Sequence, residues 1–227
     1  MAGRARKPVD DDVPLAPRLP ADLPVVDLAD IADGDLTGVE LTGSLPDGFD
    51  EPLLLREVRL AGASLVGARL GGSRWIDVAI TSCDLSGADL HETAFTRVSW
   101  RDTRLSGAQL HSSRFHDVRV VECRLEAANL AFVKAHRATF ERCRLTGVDL
   151  RDAAFEGVAW WDCDLTEAEF SHVQLVRAHL HGSVLDGLRG GSWLRPVSVD
   201  AAQYAALAEH LLAVWGIEVT SRPVDRP

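Results

Sequence analysis

From Cys83 to Leu110 the chain reads CDLSGADLHETAFTRVSWRDTRLSGAQL, and every fifth residue, at Leu85, Leu90, Phe95, Trp100, Leu105 and Leu110, is large and apolar. The period extends in both directions without a gap, from Leu55 to Leu185. Of these 27 positions, 26 carry a large apolar residue and the remaining one is Ala135. With 46% of the chain apolar, an unbroken run of this kind arises by chance with a probability of roughly 10⁻⁹. A second ladder lies two residues before the first. From Val58 to Ser183 it holds only Ala, Val, Ser, Thr and Cys, and Leu53 breaks it. A period of five matches neither the 3.6 of a helix nor the 2 of a strand. It fits a chain that turns a corner every five residues, with four corners making a coil of about twenty.

Residue identities support twenty as the coil length. Leu65, Leu85, Leu105, Leu125, Leu145 and Leu165 share one register, and Leu70, Leu90, Leu110, Leu130 and Leu150 share another. The other two registers collect the aromatics: Trp75, Phe95, Phe115 and Phe155 in one, Trp100, Phe140 and Trp160 in the other. Gly67, Gly87, Gly107 and Gly147 recur two residues after a Leu, where a turn needs positive φ.

Tandem units such as Ala88-Asp89-Leu90 and Ala128-Asn129-Leu130 resemble the pentapeptide-repeat family. The resemblance implies an all-β solenoid, a right-handed quadrilateral β-helix with a filled interior. The best-characterised members of that family resemble duplex DNA and bind type II topoisomerases, chiefly gyrase. The family pattern is specific to fold and not to function.

Four segments are expected. Residues 1–22, charged and Pro-rich, read as a disordered tail. Residues 23–52 read as a first coil through Val26, Ile31, Leu36 and Leu41, then an acidic loop of about nine inserted residues over 42–52. Residues 53–190 read as the uninterrupted β-helix. Residues 191–227 read as a cap, with a helix over about 200–215 that starts at Asp200 and ends before Gly216. The family resemblance gives this helix a second role as a homodimer contact, through Trp193, Tyr204, Leu207, Leu211, Leu212 and Trp215.

The formal net charge is −10, from 24 Lys plus Arg against 34 Asp plus Glu. Residues 1–54 hold −8 of it, and residues 55–187 only −2. A rod of 27 repeats spans ~32 Å at the strand spacing, and B-DNA of that length carries roughly 19 phosphate charges. All-round DNA mimicry is therefore not supported. By face, however, the two Leu registers total −5 and the two aromatic registers +3. The acidic side is expected to meet a partner through Asp89, Glu92, Asp149, Asp152 and Glu169.

Cys83, Cys123, Cys143 and Cys163 lie 40, 20 and 20 residues apart in the small inward ladder. They lack the short pairs of zinc sites and are poorly aimed for disulfides, so they read as core residues of a protein in a reducing compartment such as the cytoplasm. His91 with His111, and His116 with His136, are two surface pairs without a third ligand. No Gly-x-Ser-x-Gly motif, phosphate loop or catalytic acid pair is present. The expectation is a non-enzymatic protein with no metal, cofactor, membrane span or direct nucleic-acid binding. DNA gyrase or topoisomerase IV is the partner that the resemblance implies. The alternative is an interaction scaffold for an unrelated partner, engaged through the acidic N-terminal coil, the 42–52 loop or Trp161.

Overall fold

A computed structural model describes residues 12–46, 49–204, 207, 208 and 212. The strands are β1 (Val25–Asp27), β2 (Asp35–Thr37), β3 (Glu40–Thr42), β4 (Leu54–Ala61), β5 (Arg74–Thr81) and β6 (Ala94–Arg101). They continue as β7 (Arg114–Val121), β8 (Lys134–Glu141), β9 (Ala154–Trp161), β10 (Gln174–His179) and β11 (Val197–Ser198). Among the described residues they form one parallel sheet in the order β1-β3-β4-β5-β6-β7-β8-β9-β10-β11, with β2 also on β4. The result is an all-β solenoid of about eight turns.

From β4 to β9 each residue pairs with the one twenty further on, as Trp75 with Phe95 and Val98 with Val118. Each eight-residue strand covers two faces. Face 1 carries Leu55, Trp75, Phe95, Phe115, Ala135, Phe155 and Leu175 inward, and face 2 carries Leu60, Ile80, Trp100, Val120, Phe140, Trp160 and Leu180. Faces 3 and 4 are the two Leu registers, joined coil to coil by single bridges such as Ser64 to Asp84 and Arg69 to Asp89. Both inward ladders are buried along their length, Leu85, Leu105 and Leu165 among them at 0% exposure. Stacking puts like on like: Trp75 meets Phe95 edge to face at 5.3 Å, and Phe95 meets Phe115 in the same way. The indole N–H groups of Trp75, Trp100 and Trp160 are buried with no hydrogen-bond partner.

The left-handed corner expected in one register occurs in all four. The second residue after an inward position has φ near +55° whether it is glycine, as at Gly67, or not, as at Asp77, Asp102, Phe132 and Glu167. A square coil needs a sharp bend at each corner, and the αL conformation supplies it.

Both ends correct the sequence reading. Leu36 pairs with Leu55 and Leu41 with Leu60, nineteen residues apart. The coil through residues 42–52 therefore lacks one residue relative to twenty, and no nine-residue loop is inserted. Leu45 and Phe49 pack against the core there. Above it, Val26 pairs with Leu41 after fifteen residues, so Val26 to Leu41 is not one regular coil. At the other end Ala178 pairs with Val197, again nineteen apart, so the solenoid continues past residue 190.

Beyond β11, Asp200 accepts the N–H groups of Ala202 and Gln203, and the Gln203 side chain accepts the N–H of Asp200. This capping box opens a 3₁₀ turn at Ala201–Gln203. Buried Gln203 donates from Nε2 to the carbonyl oxygens of Leu180 and Ser183, closing the last coil. Most of the helix expected over 200–215, including Leu211 and Trp215, lies outside the described residues.

Candidate protein-interaction surfaces

The acidic side divides into two kinds of carboxylate. Asp89, Asp149 and Glu169 precede an inward residue, and each accepts the N–H of the residue two further on: His91, Arg151 and Ser171. These side chains hold their own turns. They are also paired, Asp89 with His91 Nδ1 at 2.7 Å, Asp149 with Arg151 at 2.6 Å and Glu169 with Arg189 at 3.4 Å. Burial would raise the Asp149 carboxyl, but the hydrogen bonds from Arg151 outweigh it and hold the group below the usual carboxylate range. Glu92 and Asp152 are different. They occupy the corner between faces 4 and 1 in the αL conformation and are exposed. Asp152 lies 3.7 Å from His172 Nδ1.

That corner also carries a residue the sequence reading passed over. Phe132 is 56% exposed at φ +61°, between Ser112 and Asp152 in the stack. A bulky non-glycine residue in the αL region costs about 1–2 kcal/mol, and here no burial offsets it. The signal was present in the sequence as an aromatic at an outward position where neighbouring coils carry Gly72, Glu92 and Ser112.

From Asp77 to Arg137 the corner between faces 1 and 2 holds a ladder of alternating charge. Arg97 donates from Nε and Nη2 to Asp77 at 2.7 and 2.6 Å. Arg137 repeats the grip on Asp117 at 2.6 and 2.8 Å. Residues 12–18, expected to be part of a disordered tail, run along this corner instead. Asp12 is buried, and the N–H groups of Leu15 and Arg18 donate to Asp117 and Asp77. Residues 1–11 lie outside the described residues.

Of the expected dimer contacts, Trp193 is 41% and Tyr204 74% exposed, while Leu207 packs partly against the core. Trp193 lies edge-on to His172, ring centroids 4.7 Å apart. Leu212 is half-buried. Cys83, Cys123, Cys143 and Cys163 are all buried free thiols. The histidine pairs stack ring on ring, His91 on His111 at 5.4 Å and His116 on His136 at 5.2 Å. Among the described residues no group of three or more His, Cys, Asp or Glu is placed to hold a metal ion. No helix among them is long and apolar enough to cross a membrane.

These features define a parallel β-solenoid with a side-chain-filled interior. The family comparison agrees and supports a pentapeptide-repeat protein: the chain matches "Pentapeptide repeat region" over residues 113–189 and "Pentapeptide repeats (8 copies)" over 83–120. No curated protein matches the chain in sequence. Among solved structures it is similar to a trypsin-treated form of QnrB1, a plasmid-mediated fluoroquinolone resistance protein. That match is at 17% identity and TM-score 0.33, covering 83% of this chain and 100% of the other. It is also similar to HetL of Nostoc sp. strain PCC 7120, a protein involved in heterocyst differentiation regulation, at 22% identity and TM-score 0.23, covering 69% and 84%. A third is a pentapeptide repeat protein from the Arabidopsis thaliana thylakoid lumen, at 28% identity and TM-score 0.23, covering 40% and 64%. No enzymatic family is indicated.

Proposed function

We propose that this chain is a non-enzymatic protein-binding rod whose contact is the corner carrying Glu92, Phe132 and Asp152. The observation that carries the reading is Phe132: an aromatic side chain 56% exposed at an outward corner position where neighbouring coils carry Gly72, Glu92 and Ser112. Aromatic residues are enriched among interface anchors. The acids around it suit a basic partner with an apolar pocket, and such charge complementarity governs on-rate and salt sensitivity. Asp89, Asp149 and Glu169, tied into their turns, contribute field rather than direct contacts.

DNA gyrase or topoisomerase IV is the partner that the family resemblance names, with one-sided DNA mimicry as the finer form of the reading. A gyrase supercoiling assay with and without a quinolone tests it. Neither inhibition nor protection at micromolar protein removes the topoisomerase. The wider reading is tested in the source cell by comparing proteins captured by the wild type and by Glu92→Lys/Phe132→Ala/Asp152→Lys. Identical captures would remove this corner as the contact.

The homodimer and the reducing compartment belong to the same proposal. Exposed Trp193 and Tyr204 support end-to-end pairing through the C-terminal segment, and four buried thiols suit the cytoplasm. Light scattering at several concentrations should give a dimer that Leu211→Asp dissociates without changing the β spectrum. Cell fractionation tests the location.

A further inference from the structure

We propose that the corner between faces 1 and 2 is a binding groove for an extended proline-rich acidic peptide, occupied in cis by residues 12–20 as a displaceable plug. Outward residues at this corner, one per coil, are Glu57, Asp77, Arg97, Asp117, Arg137, Gly157 and Arg177. From Asp77 onward charge alternates until Gly157, where a carboxylate is missing. Asp12 supplies it from the N-terminal segment. Its Oδ1 lies 2.5 Å from where a Gly157 Cβ would stand, and both its oxygens accept from Arg177 Nε at 3.1 Å. Asp12 is only 7% exposed. The other two contacts use the plug's backbone: Leu15 N–H to Asp117 Oδ1 at 3.1 Å and Arg18 N–H to Asp77 Oδ1 at 2.9 Å.

The spacing explains why a proline-rich segment fits. Asp12, Leu15 and Arg18 are three residues apart and meet positions 157, 117 and 77, two coils apart. Pro14, Pro17 and Pro20 recur at the same interval of three. A polyproline II chain turns once in three residues and advances about 9.3 Å. Two coils at the strand spacing of ~4.8 Å advance about 9.6 Å. The two repeats are therefore commensurate, and the N–H groups that follow Pro14 and Pro17 face the ladder. An acidic residue with prolines two, five and eight positions later is the pattern this groove reads.

The plug is built to leave. Val13 and Leu15 are 53% and 52% exposed, so it rests on two hydrogen bonds and an ion pair rather than on apolar burial. Segments with few buried apolar contacts open first. This groove is separate from the Phe132 corner, and either can fail alone.

Hydrogen exchange on the full-length protein reads the occupancy. The Leu15 and Arg18 amides should be protected in the wild type and unprotected in Asp12→Arg, which sets like charge against Arg177. Gly157→Asp, which fills the notch with the residue present two coils earlier, should also release the plug. A fluorescein-labelled peptide of residues 10–22 should then bind full-length Asp12→Arg and not the wild type, and an added Arg177→Glu should abolish that binding. Unprotected amides in the wild type, protection unchanged in Asp12→Arg, or no peptide binding by an Asp12→Arg protein with an intact β spectrum would each overturn the proposal.

Discussion

Arg97 holds Asp77, one coil away, by a two-point grip of 2.7 and 2.6 Å, and the carboxylate it holds is only 6% exposed. The hydrogen bond from Arg97 is the main cause that keeps the Asp77 carboxyl below its ordinary value, against burial and helped by the Arg18 amide. At Asp117 burial pushes the other way, and the grip of Arg137 with the Leu15 amide prevails. A carboxyl with a depressed folded pKa stabilises fully above its unfolded value near ~4 and loses that contribution as pH falls through the folded value. The urea midpoint of the wild type should therefore drop below about pH 4. Asp77→Asn/Asp117→Asn should be weaker at neutral pH and drop less. Equal acid slopes in the two proteins would refute the assignment.

Removing the cation alone should cost more than removing both charges. Arg97→Leu leaves Asp77 with the Arg18 N–H and the weaker pull of the Arg18 charge, and breaking a buried pair from one side costs about 3 kcal/mol. Arg97→Leu/Asp77→Asn removes the orphaned charge and should recover part of that loss. Chemical denaturation of the three proteins checks the order; a double variant less stable than Arg97→Leu would contradict it.

Backbone strain at the corners gives a paired test. Phe132 and Gly67 both occupy αL corners, and a Cβ added at Gly67 would meet nothing within 4 Å. Gly67→Ala should thus cost about 1 kcal/mol from conformation alone. Phe132→Asn, placing a residue that tolerates αL, should gain about 1 kcal/mol while weakening partner capture. Thermal melts read the first effect, and the two substitutions moving the melting temperature in the same direction would undo the account.

The regular coils were legible because a filled interior forces a large and a small inward residue in every five, and nothing else repeats at that period. The ends were not. A coil one residue short at Leu36 to Leu55 shifts the frame of the ladder, and on paper that shift looks like an insertion. The segment from Asp12 to Arg18 was illegible for another reason. Its partners lie 59 to 165 residues away, and two of its contacts come from backbone amides that no side-chain pattern reveals. Carboxylate identity showed where acids stand, but not which of them are spent on their own turns, as Asp149 is.

The thiols offer a probe of how the rod opens. Cys123 is 1% exposed, and burial pushes its thiol up to about 12. Cys163 is pushed up by its contact with the Cys143 thiol and by burial. Because the thiolate is the reactive form, neither should react with a disulfide reagent in the native protein at neutral pH, whereas all four cysteines should react in concentrated guanidinium. A solenoid coil contacts only its neighbours, so opening propagates along the stack. Cys163, nearer the end of the stack, should label before Cys123 as denaturant rises through the transition. Mass spectrometry of the alkylated peptides resolves the order. Fast native labelling of Cys123 would show that the interior ladder is open to solvent, and simultaneous labelling of both would show that the rod opens as one cooperative unit.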